Sequence, residues 1–355
     1  MINKDAEVSF DPNSVGVGGK LFGLPFTEED AQLVIIPVPW EVTVSYMSGT
    51  ARGPEAVLEA SPQLDLALEN IHNAWELGIF MQPISEEWKE ENEQWRKHTL
   101  PYIKWLESGK KKTNNATIEN TPEAVNTVCR KLNHWVKSQS EELLNKGKMV
   151  GILGGDHSTP FGLIEALAER YQDFGVLQFD AHADLRDAYE GFEFSHASVM
   201  YNVSKLNNVS KIVQVGIRDF SQFEHEFIEN SKGKINTYFY PSIKKRLFSG
   251  EHWKDICQEI IGNLPENVYV SFDIDGLDPK LCPNTGTPVP GGFEFDETIY
   301  LIDTLVKSGK KIIGFDVCEV APGKNNQWDG NVGARILYNI ANLMAVSQGK
   351  LQMIQ

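Results

Sequence analysis

The sequence predicts an α/β fold, a layered domain around a parallel sheet. Three observations carry this: about eight short β-branched or apolar runs, segments of helical periodicity between them, and Gly, Pro or Asp at the boundaries. The clearest runs are residues 32–39, 148–155, 175–180, 211–217, 267–275 and 310–317, with weaker ones at 77–81 and 235–240. About eight strands lie near the upper end of what a twisted open sheet holds. With 355 residues, 41% of them hydrophobic, the chain can bury one large core without being divided.

The helices are legible at their ends. Thr121-Pro122-Glu123 places an N-cap and a first-turn proline at the start of a helix expected to reach about Leu144, before Gly147 stops it. Asp296-Glu297 opens another that closes near Gly309. Residues 85–106 carry Trp88, Trp95 and Trp105 among charges and read as a surface or interface helix interrupted at Pro101. Residues 107–121 read as a polar loop whose Lys110-Lys111-Lys112 run is a solvated tip. Residues 1–31 lack periodicity and precede the first strand, so they are expected to form an arm laid over the domain or over a neighbouring subunit.

Composition narrows the function. A formal charge of −16 without a basic stripe argues against nucleic acid and suits a small cation. No apolar run approaches a membrane span and no basic-then-apolar leader opens the chain, so a cytoplasmic protein with no membrane partner is expected. Cys129, Cys257, Cys282 and Cys318 are too scattered for a thiolate metal site or a disulfide framework and read as buried thiols.

Three strand ends are loaded with metal-type ligands. Asp180-Ala181-His182-Ala183-Asp184 sets ligands at alternate positions, which extended backbone would turn to one face. Asp273-Ile274-Asp275 repeats the spacing, and Gly154-Gly155-Asp156-His157-Ser158 follows an apolar run with glycines that allow a tight turn. In a doubly wound parallel sheet the carboxyl ends of strands build the site, so the three motifs can converge. Four aspartates so close cannot all stay ionised without compensation, and two divalent cations balance them. Two imidazoles and four carboxylates without a thiolate suit Mn²⁺, Ni²⁺, Fe²⁺ or Co²⁺ better than structural zinc. Such a pair of ions lowers the pKa of a bridging water from about 15.7 towards 7.

In these motifs, together with Phe179 before the second and Gly276-Leu277-Asp278-Pro279 after the third, the chain from about Gln32 onward resembles the ureohydrolase superfamily of arginases, agmatinases, guanidinobutyrases, formiminoglutamases and guanidine hydrolases. The resemblance implies a three-layer α/β/α sandwich around an eight-stranded parallel sheet, with 32–355 as the catalytic domain. It implies His157 and Asp184 on a first metal, His182 and Asp275 on a second, and Asp180 and Asp273 bridging, with Mn²⁺ the expected ion and Ni²⁺ the alternative. It further implies that His196, in Phe194-Ser195-His196-Ala197, shuttles protons to the leaving amine, and that Glu319, in Val317-Cys318-Glu319-Val320, pairs with the substrate guanidinium. His196, Glu319 and Asp184 are therefore the expected catalytic residues, and a homotrimer or homohexamer the expected assembly.

The loop Leu185-Arg186-Asp187-Ala188-Tyr189-Glu190-Gly191 is closer to the agmatinase pattern than to the Asn-containing arginase loop, so the expected substrate is a small cationic guanidino compound, an agmatine-like amine or free guanidine, hydrolysed to urea. Trp40 offers either a cation–π face or a packing residue. Asn284 stands where the family usually has glycine, a change that left-handed backbone at Asn would accommodate. The alternatives are a formiminoglutamase or related amidohydrolase, for which Arg186 is the candidate cation, and a non-catalytic homologue that kept the metal cage.

Overall fold

The computed structural model describes residues 10–109 and 116–354. Every run read as a strand forms one: β1 Leu33–Val38, β2 Ile79–Met81, β3 Met149–Gly154, β4 Phe174–Phe179, β5 Val209–Val215, β6 Ile235–Tyr238, β7 Asn267–Asp273 and β8 Lys311–Cys318. They make one parallel sheet in the order β2-β1-β3-β8-β7-β4-β5-β6. β7 and β8, last in the chain, insert between β3 and β4.

Both faces of the sheet are covered, which is why the central strands read as unbroken apolar runs. In β1, Leu33 and Ile35 point into one apolar cluster while Val34, Ile36 and Val38 point into the other. The first cluster packs under the helices Gly53–Ala60, Trp253–Gly262, Phe295–Lys307 and Trp328–Ser347, and the second under Glu86–Glu107, Thr121–Asn145, Phe161–Arg170 and Val199–Ser204. The result is a three-layer α/β/α sandwich. Among the described residues no helix is long and apolar enough to cross a membrane. All four cysteines are buried and unpaired.

Local expectations fare unevenly. The helix foreseen at Thr121 starts there, with Pro122 in its first turn, while Asn120 occupies the cap position. The helix near Asp296 is opened by a capping box in which Glu294 and Glu297 satisfy each other's backbone N–H groups, and its chain leaves through Gly309 at φ +88°. Pro101 does not interrupt its helix, which runs unbroken over Glu86–Glu107. The proline removes one main-chain hydrogen bond, but its ring faces solvent while Trp88, Asn92, Arg96, Thr99, Tyr102 and Ile103 are buried along the other side, so packing outweighs the local preference. The polar loop expected over 107–121 contains a short helix, Ala116–Glu119, and the Lys110-Lys111-Lys112 run lies outside the described residues. Of the leading segment, Leu21, Phe22 and Leu24 are buried in the domain core, with Phe22 edge-on to Tyr338 and its N–H bonded to Ser61 Oγ.

Candidate metal centre

The carboxyl ends of the four central strands, β3, β8, β7 and β4, supply the site. After β3 the chain turns so tightly that a Cβ on Gly155 would lie 2.0 Å from the Trp40 carbonyl oxygen, which leaves glycine as the residue that fits. Asp156 anchors this turn through Ser158, whose N–H donates at 2.9 Å and whose hydroxyl also bonds it. His157 is thereby swung over the sheet edge.

His157 Nε2 is engaged with Ser271 Oγ at 2.8 Å, which fixes the ring so that Nδ1 faces the carboxylates. Nδ1 lies 3.0 Å from Asp180 Oδ2, 2.9 Å from Asp184 Oδ2 and 3.4 Å from Asp273 Oδ2. None of these oxygens meets it at hydrogen-bond geometry, so a buried ring nitrogen is ringed by acceptors and bonded to none of them. His182 Nδ1 lies 3.0 Å from Asp275 Oδ2 and 3.6 Å from Asp180 Oδ1. Two ligand-like groups result, His157–Asp180–Asp273 and Asp180–His182–Asp275, the atoms of each within 4.8 Å of one another and Asp180 common to both.

The backbone holds these side chains in place. His182 N–H donates to Asp180 Oδ1 at 2.6 Å, Ala181 N–H to Asp275 Oδ1 at 3.0 Å and Asp275 N–H to Asp273 Oδ1 at 2.8 Å, while Gln178 Nε2 donates to Asp180 Oδ2 at 2.7 Å. The extended geometry expected through Asp184 is not kept: β4 ends at Phe179 and Asp184 sits in left-handed backbone at φ +53°. That turn brings Asp184 to His157 while His182 faces Asp275, so the alternating motif serves two sub-sites instead of one face. Glu319 is also left-handed, at φ +63°, and two non-glycine residues in this region at one site are a strain that the surrounding contacts must hold.

Burial sets the electrostatics. It pushes the Asp184 carboxyl up to about 7, with the neighbouring Asp180 charge adding to the effect. The same desolvation, joined by Asp275 and Asp180, holds Asp273 well above the carboxylate range, and Glu319 is raised by burial and by Asp156. Burial opposes ionisation of Asp180 too, but the charge of the His157 and His182 imidazoles beside it overrides that and holds the carboxyl low. Both of these imidazoles are raised by the carboxylates around them, against the effect of burial. An acid cluster this crowded, around an unbonded imidazole nitrogen, is short of positive charge, and its oxygen and nitrogen donors fit hard or borderline divalent cations.

Around the cluster lies a cavity lined by His196, Glu319, Asp184 and Thr287, together with Ser45, Tyr189 and Phe220. His196 is held by Thr43, whose hydroxyl is 3.4 Å from Nδ1 and accepts the His196 N–H at 3.3 Å. Enclosure pushes its imidazole down to about 3, with His182 and Arg96 contributing, so it is neutral at working pH. Glu319 accepts the His157 N–H through Oε1 at 2.9 Å.

All eight residues singled out in the sequence are thus at one place. Tyr189 belongs to the 185–191 loop from which the substrate expectation was drawn, whereas Ser45, Asp219, Phe220 and Thr287 were not named as site residues, because they come from loops without a ligand spacing; Asp219, just past β5, had only its position near a strand end to mark it. Trp40 is fully buried, edge-on to Trp88 at 5.8 Å, and takes the packing alternative. Arg186 does line the cavity, but its Nε is 3.0 Å from Glu224 and its guanidinium lies 5.1 Å over the Tyr189 ring. Asn284 has no left-handed backbone; its N–H and Nδ2 bind the Asp329 carboxylate at 2.9 and 2.7 Å, at the start of the last helix.

A parallel α/β/α sandwich carrying, at the carboxyl edge of its sheet, two groups of histidine and aspartate side chains that could each hold a metal ion defines the class of protein to which this chain belongs, an α/β protein with a candidate metal centre at its strand ends. Comparison with known proteins is more specific. The arginase family model matches residues 31–342, and the chain belongs to that family. It is 30% identical to an N(1)-aminopropylagmatine ureohydrolase of Thermus thermophilus over 91% of this chain and 94% of that protein, and 28% identical to the agmatinase of Bacillus anthracis over 83% and 85%. Among solved structures, the agmatine ureohydrolase of Thermoplasma volcanium superposes with a TM-score of 0.68 at 22% identity, covering 92% of this chain and 94% of that one. The proclavaminate amidino hydrolase of Streptomyces clavuligerus does so with a TM-score of 0.70 at 21% identity, covering 94% and 99%, and both establish the shared fold.

Proposed function

We propose that this arginase-family chain hydrolyses the guanidino C–N bond of a small, amine-bearing guanidino compound of the agmatine type, releasing urea and the amine. The observation that carries this reading is the meeting of His157, Asp180, His182, Asp184, Asp273 and Asp275 at one sheet edge, with His196 and Glu319 in the cavity beside them. The agmatinase and aminopropylagmatine ureohydrolase names of relatives matched over most of their length support the substrate class.

Two divalent ions, Mn²⁺ first and Ni²⁺ as the alternative, would be held by these six side chains, His157 and Asp184 on one, His182 and Asp275 on the other, Asp180 and Asp273 between them. Bound there, they would supply the charge that activates water at neutral pH. The chain's own residues do the rest. Glu319 orients the planar guanidinium through paired charge-assisted hydrogen bonds, presenting its carbon to water. Water adds to that carbon, the bond to the amine nitrogen breaks, and neutral His196 relays a proton from water to the departing nitrogen. An acidic substrate, as a formiminoglutamase would take, finds Arg186 already committed to Glu224.

Residues 1–31 as an arm and 32–355 as the catalytic domain, a homotrimeric or homohexameric assembly and a cytoplasmic location complete the proposal. The test is urea release by purified enzyme loaded with Mn²⁺ or Ni²⁺, against agmatine, guanidinobutyrate, arginine and guanidine. Agmatine is expected to lead, and absence of urea from all four overturns the reading.

A further inference from the structure

The Glu86–Glu107 helix lies outside the ligand motifs and looks from its composition like a charged surface element. Its buried side is nonetheless polar at its centre. Trp88, Asn92 and Arg96 follow one another at four-residue spacing, so they form one stripe along the helix. Asn92 and Arg96 are 7% and 8% exposed, and burial of a guanidinium without compensation is costly. The compensation comes from the 41–48 loop. Arg96 Nη1 donates to the carbonyls of Val42, at 3.2 Å, and Val44, and Nη2 donates to Ser48 Oγ at 2.9 Å. Asn92 Oδ1 accepts the Glu41 N–H at 2.7 Å, and Trp88 packs edge-on to Trp40. The Glu41 carboxylate closes the far end of the loop by accepting from the N–H groups of Gly49 and Ala51, at 2.6 and 3.1 Å.

That loop has two residues at the site. Ser45 lines the cavity, and Thr43, fully buried, holds His196 by the two contacts described above. One turn and a half further along the same helix, Tyr102 donates its hydroxyl to the Glu190 carbonyl at 2.8 Å and packs edge-on to Phe192, securing the second loop, which carries Tyr189 and leads into His196. We infer that the Glu86–Glu107 helix is the template for the outer wall of the site, with Arg96 a positioning residue that fixes the 42–48 loop and, through Thr43, the imidazole of His196. Planar forks bind several acceptors in fixed directions, which is what shaping a loop requires and what a lysine in the same place does not provide.

The inference rests on the role proposed for His196, and a double-mutant cycle separates the two. In Arg96→Met, kcat for urea release is expected to fall on the order of 100-fold, the usual result of a displacement of about 1 Å in a reacting group, while KM changes less. In a His196→Ala background the same substitution is expected to cost less than about threefold, because the group it positions is gone. Lys97→Ala, on the exposed side of the helix, leaves both backgrounds unchanged. Equal losses in the two backgrounds, or an Arg96→Met enzyme within about threefold of the parent, overturn the inference. If Arg96→Met does not fold by circular dichroism, Arg96→Lys takes its place in the cycle, with the same two outcomes. Where the His196→Ala background is too slow to read, the imidazole ¹⁵N shifts of His196 carry the test: they move on substitution of Arg96 and not of Lys97, and unmoved shifts overturn the inference. A parent enzyme that releases no urea from any guanidino compound overturns instead the reading of the site itself.

Discussion

Glu319→Gln separates the charge of this side chain from its shape. The glutamine keeps an oxygen at the place where Oε1 accepts the His157 N–H at 2.9 Å, and it differs from the glutamate by little in volume. It loses the anion, which is 4% exposed and lies near Asp156 and Asp275, both acidic. If Glu319 holds the guanidinium, breaking a buried hydrogen-bonded charge pair costs about 2–5 kcal/mol. At about 1.4 kcal/mol per factor of ten, kcat/KM should fall by about 30-fold to about 5,000-fold. The folded state, by contrast, sheds a desolvated charge and keeps its backbone hydrogen bond, so stability should be unchanged or slightly raised. The two assays are urea release under kcat/KM conditions and thermal unfolding of the same metal-loaded samples. An activity within threefold of the parent would refute the role of the carboxylate. A melting temperature lowered by several degrees would instead show that Glu319 mainly supports the turn at His157.

Three further outcomes are expected. Chelation with EDTA should lower the melting temperature by several degrees and reloading should restore it, since each ion held at about 100 times its dissociation constant contributes about 2.7 kcal/mol; a melting curve indifferent to chelation counts against the metal centre. Pro101→Ala should raise stability to urea by about 1–3 kcal/mol, because an exposed mid-helix proline is replaced by the best helix former and the missing main-chain bond is regained; a loss would mean that the proline ring is needed where it sits. Glu190 is pushed up to about 7, by burial first and then by Glu107, with one carboxylate oxygen buried and unbonded. A raised carboxyl binds its proton more tightly in the folded than in the unfolded state, so stability is lost as pH rises from about 4.5 through 7. Glu190→Gln should therefore be more stable than the parent at pH 8, by about 1 kcal/mol once its partial exposure is discounted, and equal to it near pH 4.5; a gap independent of pH contradicts this.

Much of this protein is written locally. Each strand is a short apolar run closed by Gly, Pro or Asp, because a parallel strand buried on both faces has no polar positions to spare, as Val34 and Ile35 show by pointing into opposite cores. The ligand motifs were legible because donor residues at strand ends have few structural reasons to be there in such numbers. Three things depended on contacts between distant segments. The order of strands places β7 and β8 between β3 and β4 and so makes neighbours of Asp273, Glu319, His157 and Asp180, an arrangement that hydrophobic periodicity does not encode. The left-handed backbone at Asp184 and Glu319 is imposed by packing against the preference of those residues. Arg96 looked like one more charge on a polar helix, and only the 42–48 loop folded against it turns that charge inward. Periodicity determines which face of an element is apolar, whereas partners far apart in the chain determine which polar group on that face is worth burying.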